Sequence, residues 1–153
     1  MRMDKNRLKL SKIIYGTARL HHIFSKKKRQ CILRKAIDLG ITHFDTSPYY
    51  GYGLAEKEIG HFIKKNPEIK ISIATKFGIE QKINIGSNVY QVYLIKLLEK
   101  IIPYLKKPNY NYSVDAAKKS LNQSLQNLNL SKIDIFFIHE PKIEIQDFRI
   151  LVQ

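Results

Sequence analysis

Short apolar segments alternate with amphipathic segments along this chain. Four segments predict buried strands, because they are short, rich in β-branched or aromatic residues, and bounded by glycine, proline or polar residues. Between them apolar residues recur at helical spacing, and Gly40 stands where a C-cap glycine belongs. The predicted strands are 12–18, 41–47, 69–78 and 132–140, and the predicted helices are 26–40, 53–65 and 113–130.

Each predicted helix has an apolar face that is expected to cover the strands. Ser113 is a good N-cap for the third helix, with Asp115 in its first turn. Residues 141–153 resemble the beginning of a further helix. The predicted inner faces are Ile32, Leu33, Ala36, Ile37 and Leu39 in the first helix, Leu54, Ile59, Phe62 and Ile63 in the second, and Val114, Ala117, Leu121, Leu125 and Leu128 in the third.

A long insert at about 79–112 breaks the alternation of strands and helices. Its stretch 89–107 is apolar, but Lys96, Glu99 and Lys100 interrupt it and Pro103 follows. Such a stretch is too short and too charged to span a bilayer. It predicts an amphipathic surface helix, with a helix lying on a membrane surface as the less favoured alternative.

Alternation of strands with helices predicts an α/β protein whose parallel sheet is covered by helices. Two architectures fit: an open doubly wound sheet, or part of an eight-stranded barrel. In both, the chemistry gathers at the carboxyl ends of the strands.

Composition and charge narrow the class of protein. The chain has 153 residues, enough for one domain with a hydrophobic core, and 44% of them are apolar and 26% charged, which indicates a soluble globular protein. Cys31 is the single cysteine, which excludes a disulfide within the chain and favours the cytoplasm and a buried structural thiol. We expect no signal peptide in residues 1–16, because they lack a long apolar region.

The net charge of +14 would attract nucleic acid or an anionic membrane. The lysines are spread along the chain, however, and the tightest cluster, 25–30, resembles the solvated beginning of a helix. No basic and aromatic recognition motif accompanies the charge. We therefore predict neither a nucleic-acid nor a membrane partner, and a basic binding module is the lowest-ranked hypothesis.

All four predicted strands end in residues that could take part in catalysis or ligand binding. Gly16 and Thr17 end the first, and Asp45, Lys76 and His139 end the second, third and fourth. Tyr50 follows Asp45 by five positions, in the stretch FDTSPYYGYG. Each has an ordinary structural interpretation: a turn cap for Asp45, a surface charge for Lys76, a hydrogen-bonded core group for His139, and packing for Tyr50.

Together these side chains would form a proton-transfer device. A tyrosine has a pKa of about 10, so it is a poor acid near pH 7 unless its phenolate is stabilised. The Lys76 ammonium would do so, held by the Asp45 carboxylate, and His139 would donate to a substrate oxygen. A proton donor beside a polarised carbonyl is what carbonyl reduction needs, with the hydride supplied by a cofactor.

Several segments resemble the aldo-keto reductases. AIDLGITHFDTSPYYGYGLAEKEIG is similar to the most specific signature of that family, and GTARL to its first-strand glycine segment. IATKFG resembles the segment with the family lysine, and SVDAAKKSLNQSLQNLNLSKIDIFFIHEP the helix and strand that end with the family histidine. The resemblance covers about residues 10–141, and the insert is similar to that of bacterial sugar and aldose dehydrogenases.

The resemblance implies a (β/α)8 TIM barrel that transfers hydride between NADP, or NAD, and a small carbonyl compound or sugar. Tyr50 matches the general acid, Lys76 and Asp45 the pair that lowers its pKa, and His139 the group that orients the carbonyl. Gly16, Thr17 and Asp45 match cofactor-binding positions. We assign no metal site, and Tyr49 and Tyr52 are expected to line the pocket or to pack.

The chain departs from the family in its length. Such barrels usually need about 250 residues, whereas residues 1–153 hold one partial barrel domain, truncated to about the first four strands. The later cofactor-binding segments are absent, and the two outer strands would be exposed edges. Three explanations stay open: a fragment of a disrupted gene, a complementary half-barrel chain, or a homodimer. The alternative to an NAD(P)-dependent oxidoreductase is therefore a non-catalytic remnant or a subunit that needs a second half.

Overall fold

The computed structural model describes residues 11–80 and 88–141. All the predicted strands and helices in these ranges are present, and the strands are shorter than predicted. The helix predicted to begin in 141–153 lies outside the described residues. The elements are β1 (Ile14–Gly16), a 3-10 turn (Leu20–His22), α1 (Lys26–Asp38), β2 (His43–Asp45), α2 (Leu54–Lys65), β3 (Ser72–Phe77), β4 (Ile79–Glu80), α3 (Val89–Ile101), α4 (Pro103–Lys106), β5 (Asn109–Tyr110), α5 (Val114–Leu128) and β6 (Ile135–Ile138).

Four strands form a parallel sheet in the order β1-β2-β3-β6. In the register of this sheet Gly16 lies beside Asp45, and Asp45 lies beside Ala74. Each new strand is added next to the preceding one, without the reversal of a doubly wound sheet. With right-handed crossovers, this order places the connecting helices on one face, as in a barrel.

The core lies between the helices and this face of the sheet. Phe44 and Ile73 of the strands are fully buried against Leu33 of α1, Ile59 of α2 and Leu128 of α5. Leu39 was predicted to belong to this core, and that prediction is wrong, since its side chain is 71% exposed. The reason is local: α1 ends at Asp38, and Leu39 is the C-cap residue that leads into the turn.

The inner face predicted for α5 is also partly wrong. Leu121 and Leu125 are only half-buried, whereas Ser124 and Asn127 are buried beside Leu128. The physical reason is a carboxylate in the facing helix. Glu56 of α2 is fully buried, and it accepts hydrogen bonds of 2.8 Å from Thr75 Oγ1 and 2.8 Å from Asn127 Nδ2.

Glu56 makes the stability of the fold depend on pH. Burial raises its pKa above the ordinary 4.5, although the hydrogen bonds from Asn127 and Thr75 and the nearby Ser124 hydroxyl oppose that shift. Between pH 4.5 and the raised value the unfolded chain releases this proton and the native chain keeps it. The free energy of unfolding is therefore expected to fall as the pH rises through this interval. Glu56→Gln should remove that part of the decline when urea unfolding is measured from pH 4 to 8.

Glu68→Gln is the matched control, because Glu68 is exposed. It should leave the pH dependence of the wild-type unfolding free energy intact. If the free energy of unfolding depended on pH in the same way in the wild type and in Glu56→Gln, Glu56 would not keep its proton in the native state.

The basic cluster at 25–30 is not wholly a solvated helix beginning. Ser25 caps α1 by accepting from the Lys28 amide, but Arg29 is 3% exposed. Its guanidinium donates to Glu58 Oε1 at 2.8 Å and to the carbonyl of Phe24 at 2.7 Å. Arg29 of this cluster therefore links α1 to α2. The run of basic residues in the sequence gives no sign of that contact.

Two helices and a short antiparallel strand pair make up the described part of the insert. β4 and β5 pair antiparallel, and α3 lies between them in the chain. The amphipathic stretch divides at Ile102, because Pro103 begins α4. The side of α3 that bears Val89 and Val92 packs on Leu54 at the start of α2. The insert is thereby held against the loop that carries Tyr50.

Within residues 11–80 and 88–141, the face of the sheet that points away from the helices carries exposed apolar side chains. Ile14 on β1 is 53% exposed and Phe137 on β6 is 46% exposed. Parallel sheets are usually covered on both faces, so an exposed apolar face of this kind is unusual.

Cys31, predicted to be buried, is exposed, because it lies on the outer side of α1. Across the described ranges, none of the helices has the length and apolar character required to cross a bilayer.

Candidate active site

An ion pair lies at the carboxyl ends of β2 and β3. Lys76 Nζ is 2.6 Å from Asp45 Oδ1 and 2.7 Å from Asp45 Oδ2, and it also donates to the Thr46 carbonyl at 2.9 Å. The register of the sheet explains why Asp45 and Lys76 are in contact. Asp45 lies beside Ala74, and Lys76 projects from the same face of the sheet two residues after Ala74. All three oxygens converge on one ammonium, and these charge-assisted hydrogen bonds fix its position.

Tyr50 lies over this pair. Its loop turns back immediately after β2, with the Tyr50 amide donating to the Ser47 carbonyl at 3.0 Å. Lys76 Nζ is 4.9 Å from the centre of the Tyr50 ring. The ammonium and the phenol ring of Tyr50 are therefore in direct contact.

His139 completes the group. It directly follows β6, and its amide donates to the Phe77 carbonyl at 2.7 Å. Its ring lies edge-on to Tyr50, with 5.8 Å between ring centres, and Nδ1 is 3.3 Å from Ser47 Oγ. Burial lowers the pKa of His139 and the neighbouring Lys76 charge lowers it further, so the imidazole is neutral near pH 7.

Gly16 and Thr17 lie beside the ion pair, at the end of β1. Thr17 is buried, and both its amide and its Oγ1 donate to the Asp45 carbonyl at 2.9 Å. Gly16 faces open space, since a Cβ on it would meet no atom within 4 Å. The Thr17 side chain therefore supports Asp45, and the room for a ligand is at Gly16.

A cavity of about 320 Å³ opens beside Tyr50 and His139. Its far wall comes from segments without an assigned role in the sequence: His21 after β1, and Lys96 and Glu99 on α3. The pocket thus brings three phenols, two imidazoles and charges of both signs together. Such a pocket is suited to proton transfer on a small polar molecule.

The aldo/keto reductase family model matches residues 12–149. The chain belongs to the aldo/keto reductase family. The resemblance seen in the sequence is therefore confirmed, and the members of this family are oxidoreductases that act on small carbonyl compounds.

The chain is also similar to curated enzymes that are longer than it is. It is 27% identical over 131 residues to the D-threo-aldose 1-dehydrogenase of Pseudomonas sp, covering 84% of the chain and 39% of the relative. It is 30% identical over 129 residues to the aldo-keto reductase yakc [NADP(+)] of Schizosaccharomyces pombe, covering 82% of the chain and 32% of the relative. The chain thus spans less than half the length of the curated relatives it matches.

The fold has solved counterparts. The holo form of an aldo-keto reductase from Bacillus halodurans matches with a TM-score of 0.67 at 23% identity, covering 91% of this chain and 39% of that one. The predicted barrel-type α/β fold is confirmed, with the four described parallel strands as part of the barrel.

The four side chains that were predicted to be catalytic all lie at one edge of the sheet. Their catalytic roles, and the cofactor role of Gly16, Thr17 and Asp45, stay predictions. Sequence reasoning missed Ser47, which contacts the His139 ring. Its position two residues after Asp45 was the available signal. It also missed the far wall of the cavity, because His21, Lys96 and Glu99 come from distant segments whose local patterns indicate a turn and a surface helix.

Proposed function

We propose that this chain carries the proton-transfer site of an NAD(P)-dependent oxidoreductase that interconverts a carbonyl group and an alcohol. Tyr50 is the general acid in reduction and the general base in oxidation. The observation that carries the proposal is the position of the Lys76 ammonium, 4.9 Å from the Tyr50 ring and bound by both oxygens of Asp45.

Lys76 and Asp45 act on the Tyr50 proton. The ammonium stabilises the phenolate that remains after the Tyr50 hydroxyl has protonated the carbonyl oxygen. Asp45 binds the ammonium through both carboxylate oxygens and prevents it from moving into the cavity. In the oxidation direction the same ammonium makes the phenolate available to accept the proton of the alcohol.

His139 orients the substrate oxygen. Its burial keeps the imidazole neutral, so one ring nitrogen carries a proton and the other accepts. In our proposal Ser47 donates to Nδ1, which places the proton on Nε2, facing the cavity. The Nε2 proton then binds the carbonyl oxygen beside the Tyr50 hydroxyl and polarises it.

NADP, with NAD as the alternative, fits the open side of this group. Gly16, Thr17 and Asp45 would hold the nicotinamide end, since Gly16 faces unfilled space next to Asp45. When bound, the nicotinamide supplies or accepts the hydride, because no side chain delivers one. The name of the Schizosaccharomyces pombe relative supports NADP, and the name of the Pseudomonas relative supports a sugar among the substrates.

A second candidate function is supported by the exposed apolar face of the sheet. The exposed Ile14 and Phe137 are apolar groups that further strands would cover. On this hypothesis the chain is a subunit or remnant that becomes active only with a second half-barrel. The partner is then a second copy or a complementary chain, in the cytoplasm that the sequence predicts.

Cofactor binding and mass separate the two candidates. The chain is titrated with NADPH by fluorescence while its mass is measured by light scattering, and an aldehyde panel is then assayed for NADPH oxidation. Saturable NADPH binding with turnover by the purified chain supports the enzyme. Binding or turnover confined to an assembled species supports the subunit. A monodisperse monomer that binds no NADPH contradicts activity of the chain alone and as a homodimer, which leaves a complementary chain as the required partner.

A further inference from the structure

The turn after β6, residues 139–141, has a strained backbone. Glu140 follows His139 and precedes Pro141, and its φ of +48° lies in the left-handed region. That region is unfavourable for a residue with a Cβ, and a residue before proline normally prefers extended backbone. Strain of this kind persists only where neighbouring groups hold the residue in place. The contacts of the turn therefore identify what holds it.

Tyr112 makes the decisive contact with this turn. It lies in the insert, between β5 and α5, and its hydroxyl donates to the Glu140 carbonyl at 2.7 Å. The His139 carbonyl lies 3.4 Å from the same hydroxyl. These two carbonyls belong to the peptide groups before and after the Glu140 Cα. One hydroxyl therefore holds both sides of the strained residue.

The ring of Tyr112 has a fixed support at the carboxyl end of β3. It lies against Gly78, where a Cβ would be 2.5 Å from Tyr112 Cε1 and 2.7 Å from Cδ1. Gly78 also has a φ of +113°, which glycine adopts without steric cost. The Asn111 amide donates to the Gly78 carbonyl at 2.9 Å, so the residue before Tyr112 is bound to the same glycine.

The strand pair β4–β5 strengthens this support. Tyr110 on β5 donates to Glu140 Oε2 at 3.0 Å, and its ring stacks on Tyr112 with 6.1 Å between ring centres. Glu80 on β4 accepts from Asn111 Nδ2 at 2.8 Å. The insert is thereby connected to the turn through the backbone and through the Glu140 side chain.

The turn influences where the His139 ring points. The His139 amide is bonded to the Phe77 carbonyl, and the turn begins directly after it. A change of the backbone at Glu140 would rotate the peptide that follows the His139 Cα, and the allowed side-chain orientations depend on the backbone. The contacts of the ring itself are looser, with Ser47 Oγ at 3.3 Å and the Tyr50 ring centre at 5.8 Å.

We propose that Tyr112 is a positioning residue for His139, because its hydroxyl holds the strained turn at Glu140 and thereby directs the imidazole toward Tyr50. This inference rests on the proposed function, in which His139 orients the substrate oxygen. Tyr112 is not among the described residues that line the cavity, so it acts through the backbone of the turn and not on the substrate.

The test uses NMR of the His139 ring in the full chain, so that it does not depend on turnover. Tyr112→Phe removes the hydroxyl and keeps the ring that rests on Gly78. We expect the midpoint of the His139 15N titration to rise by about one pH unit in this variant. A purely structural contact would lower the free energy of unfolding and leave that midpoint unchanged.

The direction of the change follows from the surroundings of the ring. Burial lowers the pKa of His139 and the Lys76 charge lowers it further, whereas the Glu140 and Asp45 charges oppose those shifts. Release of the turn would expose the imidazole to water and so weaken the largest of these effects, which is burial. The pKa should therefore rise toward its ordinary value of 6.5.

Tyr93→Phe is the matched control. The Tyr93 hydroxyl on α3 also donates to a backbone carbonyl, that of His22 at 2.9 Å. The variant removes a hydrogen bond of the same kind and leaves the turn after β6 intact. It should lower the free energy of unfolding to a similar extent and leave the His139 midpoint unchanged.

Two variants of Glu140 cover the case in which Tyr112→Phe alone does not fold. Asparagine adopts the left-handed region more readily than glutamine, so Glu140→Asn should hold the turn without the hydroxyl, whereas Glu140→Gln removes only the charge. Tyr112→Phe should raise the His139 midpoint in the Glu140→Gln chain and much less in the Glu140→Asn chain. An unchanged midpoint, an equal rise in both chains, or a Tyr112→Phe chain whose folding Glu140→Asn does not restore would overturn the proposal.

Failure here is distinguishable from failure of the proposed function. A raised midpoint in a chain that reduces no aldehyde would leave Tyr112 as the positioning residue and remove the oxidoreductase. An unchanged midpoint with intact NADPH-dependent reduction would leave Tyr50 as the general acid and remove the role of Tyr112. Where both proposals hold, Tyr112→Phe should lower kcat of the active species roughly 10- to 100-fold, with the affinity for NADPH unchanged.

Discussion

Replacing Tyr50 with Phe is expected to lower kcat for aldehyde reduction about 10³-fold, within the range that general acid–base catalysis contributes. The change removes a single oxygen, the one from which the carbonyl would be protonated. The ring that rests near Lys76 and against His139 is kept. The affinity for NADPH should change little, because the proposed cofactor positions are Gly16, Thr17 and Asp45. Steady-state kinetics of the active species, with a separate fluorescence titration of NADPH, checks both expectations.

Tyr90→Phe is the matched control for that experiment. Tyr90 lies on α3, is 64% exposed and is outside the cavity, so its loss of the same oxygen should leave kcat unchanged. If Tyr50→Phe retained more than a tenth of the wild-type kcat, the proton would have to come from another group, and the assignment of Tyr50 would be wrong.

Gly60→Ala is expected to destabilise the fold by about 2 kcal/mol, the cost of overpacking a tight contact. At an exposed position in the middle of a helix the same change would raise the free energy of unfolding by roughly 0.5–1 kcal/mol. The sign of the measured change therefore tests the tight contact. A Cβ on Gly60 would lie 2.3 Å from the Asn127 carbonyl oxygen and 2.8 Å from the Leu128 carbonyl carbon. These are backbone atoms, so no side-chain rotation can relieve the contact, and α5 would have to move away from α2.

Urea unfolding measures this effect directly, with Lys64→Ala as the control on the same helix. Lys64 is exposed, so its replacement should change the free energy of unfolding by less than about 0.5 kcal/mol. A Gly60→Ala chain as stable as the wild type would show that α2 and α5 lie farther apart than described. The close approach also matters for the site, because α2 begins directly after the Tyr50 loop.

The regular parts of the fold were predictable because their signals are local. Apolar runs, helical spacing and the caps at Ser113 and Gly40 are properties of neighbouring residues, and they located the four sheet strands and helices α1, α2 and α5. The errors occur where a distant residue changes the outcome. Ser124 and Asn127 resemble a solvated helix surface until Glu56, far away in the sequence, is placed against them.

The candidate site divides in the same way. By itself the sequence determined that Asp45, Lys76 and His139 end strands and that Tyr50 follows one, since parallel strands bring their carboxyl ends to one edge of a sheet. Only the tertiary structure decided that His21, Lys96 and Glu99 face the same cavity. Their meeting depends on how α3 packs on the start of α2, and such packing between distant segments leaves no pattern in either segment alone.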